Sequence, residues 1–229
     1  MDEKQIKDSP IYEQTFHYKE RRSNRNFIFV LAMIVMFVFG LRLWWQTAYS
    51  GVQVDGDSMN MTLRHGEKLL VEKTGWWNSA DYGDVIVVQV DGYAEWKGAI
   101  DKSGNQVKFI IKRLIAKEGD SVYAKDGVVY LKKSGESKYT ALKEPYAYYG
   151  AGNSYKNYYE FASYAEPYKV GVGEIFFLGD NRSTSYSSED SRYKENKSKL
   201  KYLYKETDIY GTVPDWAIKY QAKIENVFF

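Results

Sequence analysis

Residues 54–63 read Val-Asp-Gly-Asp-Ser-Met-Asn-Met-Thr-Leu, and they separate two parts of the chain with different patterns. A long apolar run lies before this stretch, and short segments typical of β-strands follow it. A small polar turn of this kind can present the Ser58 hydroxyl, although Gly-Asp-Ser is also common in ordinary hairpin turns. The pattern therefore predicts a helix before a serine-bearing turn and a β domain after it.

Residues 27–45 form the apolar run and are interrupted only by Gly40 and Arg42. As a helix they would rise about 28 Å, which is close to the hydrocarbon thickness of a bilayer. Two tryptophans at the end of the run suit the membrane interface. We predict a single transmembrane anchor at 27–45. The alternatives are a buried core helix and a cleaved signal peptide, for which residues 48–50 (Ala-Tyr-Ser) are a loose cleavage site.

The charges around the anchor predict its orientation. Residues 1–26 are polar, and we expect a mobile cytoplasmic tail with room for a short helical piece. The end of this tail is basic, and no basic residue follows Arg42 for some distance. Because positive charge is retained on the cytoplasmic side, residues 46–229 are expected outside the cytoplasmic membrane as a single-pass protein. The basic residues of the tail are Lys19, Arg21, Arg22 and Arg25.

The region after the serine turn predicts a mainly β fold for the extracytoplasmic part. Short β-branched runs alternate with turn signals, of which Asp126-Gly127 is the strongest, and helical periodicity is weak. A tyrosine-rich region around 130–170 reads as an insertion across the β core, and 183–205 reads as a surface loop with a possible short helix. The predicted strands are 68–73, 84–90, 107–114, 121–125, 128–131, 174–178 and 209–213.

Composition excludes several classes of function. The net charge of +2 gives no argument for a nucleic-acid partner. The absence of cysteine excludes a disulfide scaffold, a thiolate metal site and a cysteine nucleophile. Since the chain has only His17 and His65, a zinc site built from several histidines is not expected. We therefore predict no metal and no cofactor.

Lys112 is the candidate base for Ser58. It lies in an apolar strand on the face that it would share with Ile110 and Leu114. Desolvation disfavours an ammonium and lowers the pKa of such a lysine, so its neutral amine can take a proton from a serine. The alternative is that the lysine lies on an edge strand and extends into solvent. A triad with His65 is formally possible, although this histidine reads more simply as a solvated turn residue.

Two polar stretches near the C-terminus complete the pattern. Residues 179–182 read Gly-Asp-Asn-Arg, and residues 188–192 read Ser-Glu-Asp-Ser-Arg. By themselves they are typical of a turn that closes a strand and of a solvated loop. Asp190 and Arg192 can also form a local ion pair in that loop.

Taken together, these segments resemble the type I signal peptidases, which are membrane-anchored serine–lysine peptidases of the bacterial cytoplasmic membrane. Residues 58–63 are similar to the motif Ser-Met-x-Pro-Thr-Leu, and 82–87 are similar to the Gly-Asp-Val-Ile strand of this family. Residues 112–120 resemble the motif Lys-Arg-x-Ile-Gly-x-Pro-Gly-Asp. Residues 179–182 and 188–192 resemble the two halves of the last motif.

The resemblance implies a role for each of these residues. Ser58 would be the nucleophile and Lys112 the general base. Ser188 would orient the lysine amine, and Asp190 would pair with Arg192. The first half of the last motif would support the site through Gly179, Asp180, Asn181 and Arg182.

The resemblance also implies the partners and the fold. Substrates would be exported preproteins with small residues at positions −1 and −3 from the cleavage point. The backbone N–H of Ser58 would point into an oxyanion hole. An apolar surface of a domain with two antiparallel sheets would rest on membrane lipid.

Departures from the motifs indicate a divergent member of this family. Met61 stands at the position of the motif proline, and Gly56 offers no hydroxyl for the oxyanion hole. Residues 183–187 make the last motif longer than usual, so Ser185 or Ser187 could replace Ser188. A dedicated substrate set, such as pilus or surface-protein precursors, is one possibility. The alternative from another class is a chaperone of this fold that assists pilus or surface-protein assembly without cleavage.

Overall fold

A computed structural model describes residues 10–75, 78–91, 98, 100, 104–183 and 204–219. The chain divides into two compact units, and the boundary lies between Thr47 and Ala48. The first unit corresponds to the apolar run and the residues before it. The second contains the β-sheets.

Helix α1 (Pro10–Ala48) accounts for the described part of the first unit. It begins before the span predicted at 27–45, so the helical piece expected in the tail covers residues 10–26 and continues into the apolar run. Its portion Asn24–Ala48 has a mean hydropathy of 2.4 and is long and apolar enough to cross a membrane. Its apolar side chains are exposed, which argues against the alternative of a buried core helix.

Eleven strands are present among the described residues of the second unit. They are β1 (Tyr49–Gln53), β2 (Lys68–Lys73), β3 (Val85–Gln89), β4 (Phe109–Lys117), β5 (Ser121–Lys125), β6 (Val128–Lys132), β7 (Thr140–Ala141), β8 (Tyr168–Lys169), β9 (Glu174–Leu178), β10 (Tyr204–Lys205) and β11 (Ile209–Val213). All strand pairs are antiparallel, and the strands form one sheet of seven in the order β1-β2-β11-β3-β4-β9-β10 and one of four in the order β7-β6-β5-β8. The predicted fold class is thus confirmed.

Strand β3 shows why the central strands read as continuous apolar runs. Val85 and Val87 belong to one buried cluster, whereas Ile86 and Val88 belong to another. Because successive side chains point to opposite faces, the seven-stranded sheet is covered on both sides at this strand. This burial fixes the register of β3 against β4, which carries Lys112.

The tyrosine-rich region packs on the four-stranded sheet. Tyr149, Tyr159 and Phe161 are buried in one cluster with Val122 and Val129 of the four-stranded sheet. Two short 3-10 helices lie within this region, at Ala151–Asn153 and Lys156–Tyr158.

The C-terminal part adds few elements among the described residues. A 3-10 helix, Glu206–Asp208, precedes β11, and a short helix α2 (Asp215–Lys219) follows it. The surface loop predicted at 183–205, with the short helix expected in it, lies mostly outside the described residues.

Candidate active site

The side chains of Ser58 and Lys112 meet. The Lys112 Nζ lies 2.7 Å from the Ser58 Oγ, although 54 residues separate the two in sequence. Lys112 is only 4% exposed, and Ser58 is half-buried. A buried amine beside a hydroxyl is the arrangement in which a lysine can act as a base toward a serine.

Strand β4 provides the burial of Lys112. Lys112 lies opposite Ile86 in the register of β3 and β4, and Ile110 lies opposite Val88. Ile110 and Leu114 belong to a buried apolar cluster, as the predicted alternation requires. The strand is paired on both sides, with β3 and β9, so the edge-strand alternative for Lys112 is wrong.

A compact turn holds Ser58. The backbone N–H of Asn60 donates to Asp57 O at 3.0 Å, and the N–H of Leu63 donates to Met59 O at 2.8 Å. Met59 and Leu63 are buried in the apolar cluster next to β2 and β3. The turn is therefore anchored by two side chains in the core while the serine stays accessible.

The loop after β9 fastens this turn from the other side. The backbone N–H of Asn181 donates to Ser58 O at 3.0 Å, and the Asn181 side-chain amide donates to Asp57 O at 2.9 Å. Asn181 is 4% exposed. It thus fixes the backbone on which the serine hydroxyl is mounted.

Asp180 joins the same turn to strand β4. Its carboxylate accepts from Arg113 Nε at 2.8 Å and from a terminal nitrogen of Arg113 at 2.5 Å, and it also accepts from the Thr62 hydroxyl at 2.5 Å. Burial alone would lower the pKa of Arg113, but the hydrogen bond and charge of Asp180 outweigh it and raise the pKa. A forked pair of this kind gives directional as well as electrostatic stabilisation. Arg113 also donates to Gly83 O at 2.6 Å.

Arg182 has a buried environment of its own. Its Nε donates to Gly179 O at 2.9 Å, and its terminal nitrogens contact the Glu144 carboxylate at 2.6 and 3.3 Å. Burial favours a lower pKa for Arg182, yet Tyr159 and Glu144 raise it above its ordinary value. The guanidinium therefore remains charged inside the domain.

The second half of the last motif lies outside the described residues. This applies to the predicted Ser188, to its possible substitutes Ser185 and Ser187, and to the predicted pair of Asp190 and Arg192. Their suggested roles remain predictions.

His65 contacts the start of the serine turn. Its Nδ1 accepts from the backbone N–H of Gly56 at 3.2 Å and lies 3.2 Å from a carboxylate oxygen of Asp55. The histidine side chain is 47% exposed. Ser58 is thus hydrogen-bonded to Lys112, whereas His65 is hydrogen-bonded to the backbone at the start of the turn.

Met61 adopts a backbone conformation that the family motif does not lead one to expect. Its φ is +81°, its N–H donates to Asn60 Oδ1 at 2.9 Å, and its side chain is exposed. Proline holds φ near −65° and has no N–H, so the motif proline cannot occupy this conformation.

Sequence reasoning missed several residues around the site. Thr62 and Arg113 lie within quoted motifs, but their contacts with Asp180 were not predicted. Glu144 and Tyr146 had no local signal, because only the packing of the tyrosine-rich region brings them to Arg182 and Arg113. Within the parts of the chain that the structure describes, no cluster of three acidic or histidine side chains could hold a metal ion.

Comparisons with known proteins identify the family of the chain. The family model described as signal peptidase, peptidase S26, matches residues 24–219. Signal peptidase I U of Bacillus subtilis (strain 168) is 28% identical over 177 residues, which cover 75% of this chain and 80% of that protein. Signal peptidase I of Bacillus licheniformis is 29% identical over 170 residues, covering 74% and 81%.

Among solved structures, a signal peptidase I from Enterococcus faecalis V583 matches with a TM-score of 0.40 and 20% identity, covering 60% of this chain and 98% of that one. The family match spans most of the described chain, including the serine turn and strand β4. The chain therefore belongs to the signal peptidase family, peptidase S26, and is a divergent type I signal peptidase, a serine peptidase.

Proposed function

We propose that Ser58 and Lys112 are the catalytic pair with which this signal peptidase removes signal peptides from exported preproteins. One observation carries the proposal, namely the 2.7 Å contact between the hydroxyl and a nearly inaccessible amine. Burial favours the neutral form of a lysine amine over the ammonium, and a neutral amine at this position can accept the serine proton.

The reaction would proceed in two balanced steps. As Lys112 takes the hydroxyl proton, Ser58 Oγ forms a bond to the scissile carbonyl carbon, and the oxygen of that carbonyl becomes an anion. The carbon–nitrogen bond then breaks, and the ammonium of Lys112 returns the proton to the leaving amine. In the second step the neutral amine takes a proton from water, whose oxygen forms a bond to the acyl carbon. The ester bond to Ser58 Oγ then breaks, and the ammonium of Lys112 returns the proton to Ser58 Oγ.

The oxyanion would be stabilised by backbone groups of the serine turn. The N–H of Ser58 is the expected donor, and Gly56 contributes no side-chain hydroxyl. The hydrogen bonds from Asn181 to Ser58 O and Asp57 O support this assignment, because a donor helps only if it is held in position before the reaction.

The substrates would carry small residues at −1 and −3 and would reach the site at the outer face of the cytoplasmic membrane. Helix α1 supports a membrane anchor, since Asn24–Ala48 is sufficiently long and apolar. Basic residues before the apolar part favour a cytoplasmic N-terminus. The catalytic domain would then lie outside, next to membrane lipid.

Cleavage of a preprotein with Ala-x-Ala before its cut site tests the catalytic pair. Ser58→Ala and Lys112→Arg should each reduce the cleavage rate by at least about a thousandfold. The first variant lacks the nucleophilic hydroxyl, and the second carries a guanidinium that cannot lose a proton near neutral pH. His65→Ala should stay within about tenfold of wild type, because the contacts of His65 with described residues are to Asp55 and Gly56 at the start of the turn.

Three results would contradict the proposal. Turnover by a folded Lys112→Arg variant would exclude a lysine base, and a thousandfold loss in His65→Ala would favour a triad. A wild-type protein that binds the preprotein without cutting it would favour the chaperone alternative.

A further inference from the structure

Glu144, in the tyrosine-rich region, is a buried carboxylate that the proposed mechanism does not use. Its side chain is 6% exposed. Besides Arg182, it accepts from the Tyr146 hydroxyl at 3.3 Å. Burial, followed by the charge of Glu144, raises the pKa of Tyr146, so this hydroxyl keeps its proton. Burying a carboxylate in this way is costly unless its partners are fixed.

The partner of Glu144 is fixed in the loop that supports the serine. The Arg182 side chain is fully buried, and its guanidinium lies 5.4 Å from the Tyr159 ring centroid and 5.9 Å from that of Tyr149. The same guanidinium holds Gly179 O. Arg182 therefore connects the tyrosine-rich region to the end of β9.

Backbone hydrogen bonds make a second connection between the same two segments. The N–H of Tyr148 donates to Asp180 O at 2.7 Å, and the N–H of Arg182 donates to Tyr148 O at 2.8 Å. Between these two bonds lies Asn181, which binds the serine turn. A shift of Tyr148 would thus be transmitted to Ser58 through one residue.

A third contact reaches the strand of the lysine. The Tyr146 ring lies 3.7 Å from the guanidinium carbon of Arg113, which is close enough for a strong cation–π contact. Arg113 follows Lys112 in β4 and binds Asp180 through two nitrogens. Residues 144–149 therefore touch the supports of both Ser58 and Lys112.

We propose that residues 144–149 form a clamp that holds the serine turn and strand β4 in register, and that Glu144 is its central positioning residue. The inference rests on the proposed roles of Ser58 and Lys112. The clamp acts on the alignment of hydroxyl and amine through Asn181, Arg182 and Arg113, whose contacts hold the serine turn and strand β4. Small losses of alignment have large kinetic effects, since a misplacement of about 1 Å can cost roughly a hundredfold in rate.

Preprotein cleavage by Glu144→Gln tests the clamp. The amide keeps the shape of the carboxylate but leaves the Arg182 charge unbalanced. We expect kcat to fall by about 10- to 100-fold with KM within about twofold, because binding of the preprotein does not depend on the alignment. The matched control is Glu160→Gln, an exposed carboxylate in the same region, and it should keep wild-type kcat.

A double variant distinguishes a positioning role from a general loss of structure. Since Glu144 acts through Arg182, adding Glu144→Gln to Arg182→Met should cause no further loss of kcat. Additive losses, or a Glu144→Gln variant with wild-type kcat, would overturn the clamp while leaving the catalytic pair intact. If the wild-type protein does not cleave the preprotein, the proposed function fails together with the clamp.

Tyr146→Leu provides an independent test should Glu144→Gln fail to fold. It removes the ring from Arg113 and leaves the carboxylate in place. The clamp predicts a lower kcat and an unchanged KM at a temperature well below the unfolding midpoint. A folded Tyr146→Leu variant with wild-type kcat would overturn the proposal.

Discussion

At the scale of single residues, the site depends on a strained turn position. Met61 has φ +81° three residues after Ser58, in a region of backbone space that methionine rarely enters. Such a residue costs about 1 kcal/mol or more relative to glycine. Because the Met61 side chain is exposed, its burial contributes little free energy to offset this cost. We infer that the rest of the turn imposes the conformation.

Substitution of Met61 tests whether this conformation is needed. Met61→Gly should raise the free energy of unfolding by up to about 1 kcal/mol and keep activity, because glycine accepts a positive φ. Met61→Pro should lower both stability and activity, since proline cannot adopt this φ and loses the N–H bonded to Asn60. Denaturant unfolding and preprotein cleavage measure the two effects. An active, fully stable Met61→Pro variant would show that the turn can take the conformation of the family motif.

The residue scale also shows what sequence could and could not predict. Ser58 and Lys112 stand within motifs whose order along the chain is specific, so their meeting was predictable. The pairing of Arg113 with Asp180 joins residues 67 positions apart, and no local pattern encodes such a contact. The role of Glu144 could not be predicted either, because its partner Arg182 lies 38 positions away.

At the scale of elements, the β5–β6 hairpin supports the tyrosine-rich region. Asp126 and Gly127 both have positive φ, which is typical of a two-residue turn with asparagine, aspartate or glycine. The Tyr149 hydroxyl donates to Gly127 O at 2.8 Å. A side-chain carbon at Gly127 would come within 2.6 Å of Lys156 O. The hairpin was predictable from its turn, but its contact with Lys156 was not.

Gly127→Ala tests this packing. The added methyl group must displace the backbone at Lys156 as well as strain the turn, so the free energy of unfolding should fall by about 2 to 4 kcal/mol. Gly135→Ala is the matched control, because Gly135 has a similar φ of +83° but open space around it. It should cost only about 1 kcal/mol. Denaturant unfolding measures both variants. Equal decreases in the free energy of unfolding would mean that the backbone at Lys156 moves away from the added methyl group without cost.

The strands show which elements the sequence pattern can predict and which it cannot. Strands β2, β3 and β9 were predicted within a residue of their ends, because they are short apolar runs bounded by turn residues. Strands β7, β8 and β10 have only two residues each, and pairing alone defines them. Helix α1 begins at Pro10 although residues before the apolar run show no apolar periodicity, so its start could not be predicted.

At the scale of the whole molecule, two partly buried tyrosines link stability to alkaline pH. Burial, then the hydrogen bond to Asp120, raises the pKa of Tyr82 above its ordinary 10.0, and burial followed by Glu144 raises that of Tyr146. The unfolded chain therefore loses these protons at a lower pH than the folded protein. Their contribution is complete below about pH 10 and is lost as pH rises beyond it.

The free energy of unfolding should consequently decrease as pH rises above about 10. Tyr82→Phe should make this decrease shallower, because one of the groups that binds a proton more tightly in the folded state is removed. Tyr158→Phe, at a side chain that is 77% exposed, should leave the slope unchanged. Denaturant titrations between pH 8 and pH 11 measure the slopes. An identical slope in wild type and Tyr82→Phe would contradict the linkage.

The whole account depends on covalent attack by Ser58 with proton transfer to Lys112. Rapid acid quenching of the protein during preprotein cleavage, followed by peptide mass spectrometry, detects the acyl group directly. The account predicts the acyl group on Ser58 in wild type and none in Lys112→Ala. An acyl group on another residue, or equal labelling of Ser58 in Lys112→Ala, would contradict it.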